Sequence, residues 1–72
     1  MNYYRFIVKD DDFGDYSELF LSDFLPNEIT LLWNMTESKS YSYRERIVYI
    51  SENAKLLNKR FELINETNTF YM

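Results

Sequence analysis

The sequence predicts a small α+β domain, an antiparallel sheet with helices on one of its faces. Three observations predict it. The chain opens on NYYRFIVK, which is aromatic, β-branched and alternates by two. EITLLWNM and SYSYRERIVYI alternate again around a short polar joint, as the two arms of a hairpin do. ENAKLLNKRFELINE carries its apolar residues at helical spacing.

The elements follow in order. Residues 2–9 form a strand with Tyr4, Phe6 and Val8 on one face and Tyr3, Arg5, Ile7 and Lys9 on the other. Residues 10–14 form a turn, in which Gly14 supplies a positive φ. Tyr16, Leu19, Phe20 and Phe24 follow the i, i+3, i+4, i+8 spacing of a helix over 16–24, with Asp15 and Glu18 as a capping box. A strand over Glu18–Leu25 is the rival. Pro26 disfavours helix at Leu25. Strands then cover 28–35 and 41–50, the first with Ile29, Leu31, Trp33 and Met35 on one face. The second puts Tyr41, Tyr43, Ile47 and Tyr49 together, with Glu45 intruding. Ser51 caps a last helix over 52–66, whose stripe is Ala54, Leu57, Phe61 and Ile64. TFYM adds a short edge strand. The order β-α-β-β-α(-β) resembles the ferredoxin-like split βαβ layout, with a short first crossover.

A single domain of 72 residues buries only about 60–65% of its unfolded surface, so its stability margin is thin. There is no Cys and no His, which removes disulfides and the usual zinc sites. Seven Tyr, six Phe and one Trp build the core instead. The N-terminus lacks the apolar core and small-residue cleavage site of a signal peptide, and no apolar run reaches about 18 residues. The expected location is the cytoplasm. Asn, Lys, Ile, Tyr and Phe make up 29 of the 72 residues, a bias of AT-rich genomes such as those of many bacteria and their phages.

Catalytic equipment is missing. The usual nucleophile–base pairs need a Cys or His that is not there, and one glycine cannot make a phosphate loop. Aligning Gly14 to the glycine of a calcium-binding loop places Lys9, Phe13 and Phe20 where oxygen ligands belong, so no metal or other cofactor is expected. Tyr41 and Tyr43 beside Arg44 and Arg46 imitate a base-stacking surface. The flanking glycines of RNA-recognition domains are absent, and the net charge of −4 opposes phosphate binding. The stronger reading makes Arg44 and Arg46 cross-strand or helix-facing salt-bridge partners, with the tyrosines covering the sheet. The expectation is a non-enzyme that does not bind nucleic acid directly.

The layout of charge carries the functional expectation. Residues 10–37 hold Asp10, Asp11, Asp12, Asp15, Glu18, Asp23, Glu28 and Glu37 with no base, while the flanking segments are each net basic. Such a block either stays solvated or meets a basic partner. Asp10, Asp11, Asp12, Asp15, Glu18 and Asp23 would supply the charge of a binding surface, and Phe13 and Tyr16 its desolvated anchors. The expected function is a protein-binding inhibitor that occupies the nucleic-acid-binding surface of a basic protein. Phage-encoded counter-defence proteins, anti-CRISPR proteins among them, share this bulk format. Bacterial immunity proteins against basic toxins share it too, and a homo-oligomeric assembly module, such as a homodimer, is the remaining alternative.

Overall fold

In a computed structural model, residues 1–9 and 14–68 are described, with the side chains of 66–68 left aside. The fold is α+β, with three antiparallel strands and two helices. The elements are β1 (Asn2–Val8), β2 (Tyr16–Ser22), α1 (Pro26–Glu37), α2 (Tyr43–Leu56) and β3 (Phe61–Asn68). The sheet order is β1-β2-β3. β1 and β2 form a hairpin, and both helices lie in the excursion between β2 and β3. No helix among the described residues is long and apolar enough to cross a membrane.

β1 falls where the alternation put it. Tyr4, Phe6 and Val8 face inward, half-buried, and Tyr3, Arg5 and Ile7 face outward. The register sets Tyr4 opposite Phe20 and Phe6 opposite Glu18, so β2 turns Tyr16, Glu18, Phe20 and Ser22 to the same inner face. Gly14 closes the connection at φ 80°, as its lack of a Cβ allows. Residues 10–13 of the expected turn lie outside the described residues.

Residues 16–24 are a strand to Ser22, not a helix. Period two is disguised there because Glu18 and Ser22 are polar yet face the core. Both are satisfied inside. Ser22 Oγ donates to the Arg60 carbonyl at 2.9 Å and accepts from the Phe24 amide at 3.0 Å. The central strand also gains Phe61, whose ring stacks on Phe20 with centroids 4.5 Å apart.

The two runs expected as strands over 28–35 and 41–50 are helices. Pro26 opens α1 at its first turn, where the missing N–H costs nothing, and Glu28 Oε1 accepts from the Leu25 amide at 2.8 Å. Ile29, Leu32, Trp33 and Thr36 turn inward at i, i+3, i+4, i+7, and Leu31 and Met35 stay exposed. α2 starts at Ser42, not Ser51. Ser42 Oγ accepts from the Glu45 amide at 3.3 Å while Glu45 Oε1 accepts from the Ser42 amide at 2.8 Å. Ile47, Ile50 and Ala54 form its buried stripe.

The helix expected over 52–66 stops at Leu56. Asn58 sits in the left-handed region at φ 57°, the Asn58 amide donates to the Lys55 carbonyl, and the Lys59 amide donates to Ala54. These two bonds close the C-terminus as a Schellman motif. Residues 61–68 then run as β3, with a bulge opposite Leu19 and Phe20 that skips Ile64. The edge strand expected at TFYM lies outside the described residues.

The core is thin. Phe24, Ile29, Ile50 and Ala54 are its buried centre, with Tyr4, Phe6, Leu32, Trp33 and Phe61 packed against them. Arg46 ties the helices together. Its guanidinium lies 3.9 Å from the Trp33 ring centroid and donates to Thr36 Oγ1 at 2.7 Å and to the Trp33 carbonyl at 3.2 Å.

Candidate protein-interaction surfaces

Among the described residues, the carboxylates grouped by the sequence go to different places. Asp10, Asp11, Asp12 and Phe13 lie outside the described residues. Asp15, partly exposed, pairs with the exposed Lys9 at 3.1 Å across the mouth of the β1–β2 connection. Asp23 is taken up by the backbone: its Oδ2 accepts from the Arg60 amide at 2.9 Å, and its own amide donates to the Arg60 carbonyl at 3.0 Å. Tyr16 is half-buried, edge-on to Tyr43 with centroids 6.4 Å apart.

Glu18 corrects the sequence reading most sharply. It caps no helix: a strand turns it under α2, where it is 1% exposed. Tyr43 Oη donates to its Oε1 at 2.6 Å and Arg44 Nη2 to its Oε2 at 3.2 Å. Burial raises the Tyr43 phenol well above its ordinary range, and the carboxylate it faces raises it further. The Glu18 hydrogen bond, less a smaller cost of burial, raises the Arg44 guanidinium as well. Arg44 is thus paired with Glu18 while still more than half exposed, and Arg46 is bonded to Thr36 and the Trp33 carbonyl.

Two surfaces remain open. The first is the outer face of the sheet. The register places Tyr3 opposite Leu21, Arg5 opposite Leu19 and Ile7 opposite Ser17 on that side. Tyr3 and Ile7 are each 66% exposed, and Ile64 is exposed in the bulge. Arg5 Nη1 donates to Ser17 Oγ at 2.8 Å, which fixes the one cation in the middle of the patch. An antiparallel sheet with a solvated side normally turns polar residues to water. Here Tyr, Ile and Leu stand in those positions.

The second is the exposed side of α2, which displays Tyr41, Glu45, Val48, Tyr49 and Glu52 around an open groove. The strand reading missed it. Its signal was the Glu45 that interrupted an otherwise apolar alternation: Tyr41, Glu45 and Tyr49 are spaced by four, which is one face of a helix. Among the described residues, no group of three or more carboxylates is placed to hold a metal ion. Compared with known proteins, the chain matches no family model, no curated protein and no solved structure.

Proposed function

We propose that this is a protein-binding domain that inhibits its target by covering a basic, nucleic-acid-binding surface. The observation that carries the binding role is the outer sheet face. Exposed Tyr3 and Ile7, with half-buried Leu19 and Leu21 opposite Arg5 and Tyr3, occupy positions where a solvated sheet carries polar residues, and exposed apolar surface of this kind marks an interaction site. The basic character of the target is supported by the acidic balance of residues 10–37, which hold no base, although Glu18 is buried and Asp23 is bonded to the Arg60 amide. Carboxylates held on a small scaffold stand in for phosphates in a groove of Lys and Arg. An immunity protein against a basic toxin would use the same features. A homo-oligomeric assembly module would use the apolar sheet face alone.

The test is capture from native lysate with identification by mass spectrometry, run at low and high salt. Wild type is compared with an Asp10→Asn, Asp11→Asn, Asp12→Asn, Asp15→Asn variant and with a Tyr3→Ser, Ile7→Ser variant. The expected result is one basic protein, lost with either variant and in salt, whose nucleic-acid binding in a gel-shift assay falls as this domain is added. Equal capture by all three proteins would sink the proposal. Salt-independent dimerisation abolished by the Tyr3, Ile7 variant would replace it with the assembly module.

A further inference from the structure

α2 shows water a stripe of different chemistry from the one it buries. The groove along it has a volume of about 270 Å³ and is bordered by Tyr41, Arg44, Glu45, Val48, Tyr49 and Glu52. The Tyr41 and Tyr49 rings stand 6.3 Å apart and inclined by 57°, as two walls of a corner rather than a closed stack. Both are anchored to the fold. Tyr41 adjoins the Ser42 cap, and Tyr49 Oη reaches Met35 Sδ on α1 at 3.9 Å. Glu45 is held by the cap through Oε1, and Glu52 stands exposed two turns further on.

Charge decides what fits. Arg44 is the one cation on the border, and its guanidinium is bonded to the buried Glu18 carboxylate at 3.2 Å. Its charge is already matched. That leaves two carboxylates flanking two aromatic faces, with Val48 between them. Aromatic faces attract a cation through the ring quadrupole. Carboxylates receive its N–H groups, and an apolar wall accommodates a methylene stem. An anion would be repelled by Glu45 and Glu52, and an apolar side chain would strip water from them without replacing it.

We infer that the α2 groove receives a lysine or arginine side chain from a partner protein, with its charged end between Glu45 and Glu52 and its stem against Tyr41 and Tyr49. The site lies across the domain from the outer sheet face. It shares with the proposed function only the basic nature of the partner, and it stands on different residues.

The experiment is backbone amide NMR of the full chain titrated with three peptides: Gly-Ser-Gly-Lys-Gly-Ser-Gly, its Arg counterpart and its Gln counterpart. The expected result is saturable shifts centred on Tyr41–Glu52 with the Lys and Arg peptides and none with Gln. Tyr49→Leu and Glu52→Gln should each weaken binding about two- to fivefold, the scale of one exposed cation–π or ionic contact. Glu52 is exposed and Tyr49 half-buried, so thermal unfolding should barely move for Glu52→Gln and fall only slightly for Tyr49→Leu. Equal shifts with the Gln peptide overturn the inference. So do cationic shifts elsewhere in the chain, or binding unchanged in the Tyr49→Leu, Glu52→Gln double variant. The Tyr3→Ser, Ile7→Ser variant should bind the peptides normally even if it loses its partner, which separates failure of this site from failure of the sheet face.

Discussion

At the scale of single residues, the fold turns on a polar group in an apolar place. Glu18 is tolerated under α2 because the Tyr43 hydroxyl and the Arg44 guanidinium both donate to it. Removing the acceptor alone leaves the phenol unsatisfied. Glu18→Leu should therefore cost about 2–3 kcal/mol in urea unfolding. Adding Tyr43→Phe removes the orphaned donor, and the double variant should recover most of that loss. If the two changes simply add, the pair is not coupled. The same contact predicts a pH response. The Tyr43 pKa is raised in the fold, so the folded state holds that proton more tightly than the unfolded chain. Its contribution is fully present below the unfolded tyrosine pKa of about 10 and falls as pH rises beyond it. Thermal melts above pH 10 should show a decline that Tyr43→Phe reduces, the remainder belonging in part to Tyr4, whose phenol burial also raises.

At the scale of elements, helix termini decided what alternation left ambiguous. The runs over 28–35 and 41–50 fit period two and period 3.6 about equally well, since apolar residues fill most positions. Pro26 and Glu28 at one start and Ser42 and Glu45 at the other resolve both in favour of helix. The S-x-x-E signature of Ser42–Glu45 was present in the sequence and was hidden by the strand pattern around it. Ser42→Ala should cost about 1 kcal/mol and lower helical circular dichroism before the sheet melts. Ser40 sits at φ 58° in the connection between α1 and α2, a region a Cβ disfavours. Ser40→Gly should be neutral or stabilising by up to about 1 kcal/mol, measured by denaturant midpoint at constant slope. A clear loss would mean that the Ser40 side chain has a role of its own.

At the scale of the whole molecule, a thin core leaves large apolar side chains outside it. Tyr3 and Ile7 stand exposed on the sheet and Leu31 and Met35 on α1. Exposed side chains on a folded sheet contribute little to its stability, so Tyr3→Ser with Ile7→Ser should change the unfolding free energy by less than about 1 kcal/mol while abolishing partner capture. Loss of both together would mean that the sheet face is structural. The acids divide along the same line. Asp15, Glu18 and Asp23 lie close together in sequence but reach Lys9, the space beneath α2 and the Arg60 backbone respectively. Among these described acids, closeness in sequence therefore does not mean a shared surface.

The amino-acid sequence by itself determined the α+β class, the first strand with its inward Tyr4, Phe6 and Val8, the glycine-assisted connection after it, and the absence of thiol and imidazole chemistry. These follow from local facts: side-chain size, period two and residue inventory. Only the tertiary structure decided that β2 is a strand, that two apolar runs are helices and that Glu18 belongs inside. Each of these depends on a group distant in the chain. Phe61 stacks on Phe20, Tyr43 and Arg44 satisfy Glu18, and Trp33 packs over Phe6. Local propensity differs between helix and strand by a fraction of a kcal/mol per residue, and burial of one aromatic side chain outweighs it.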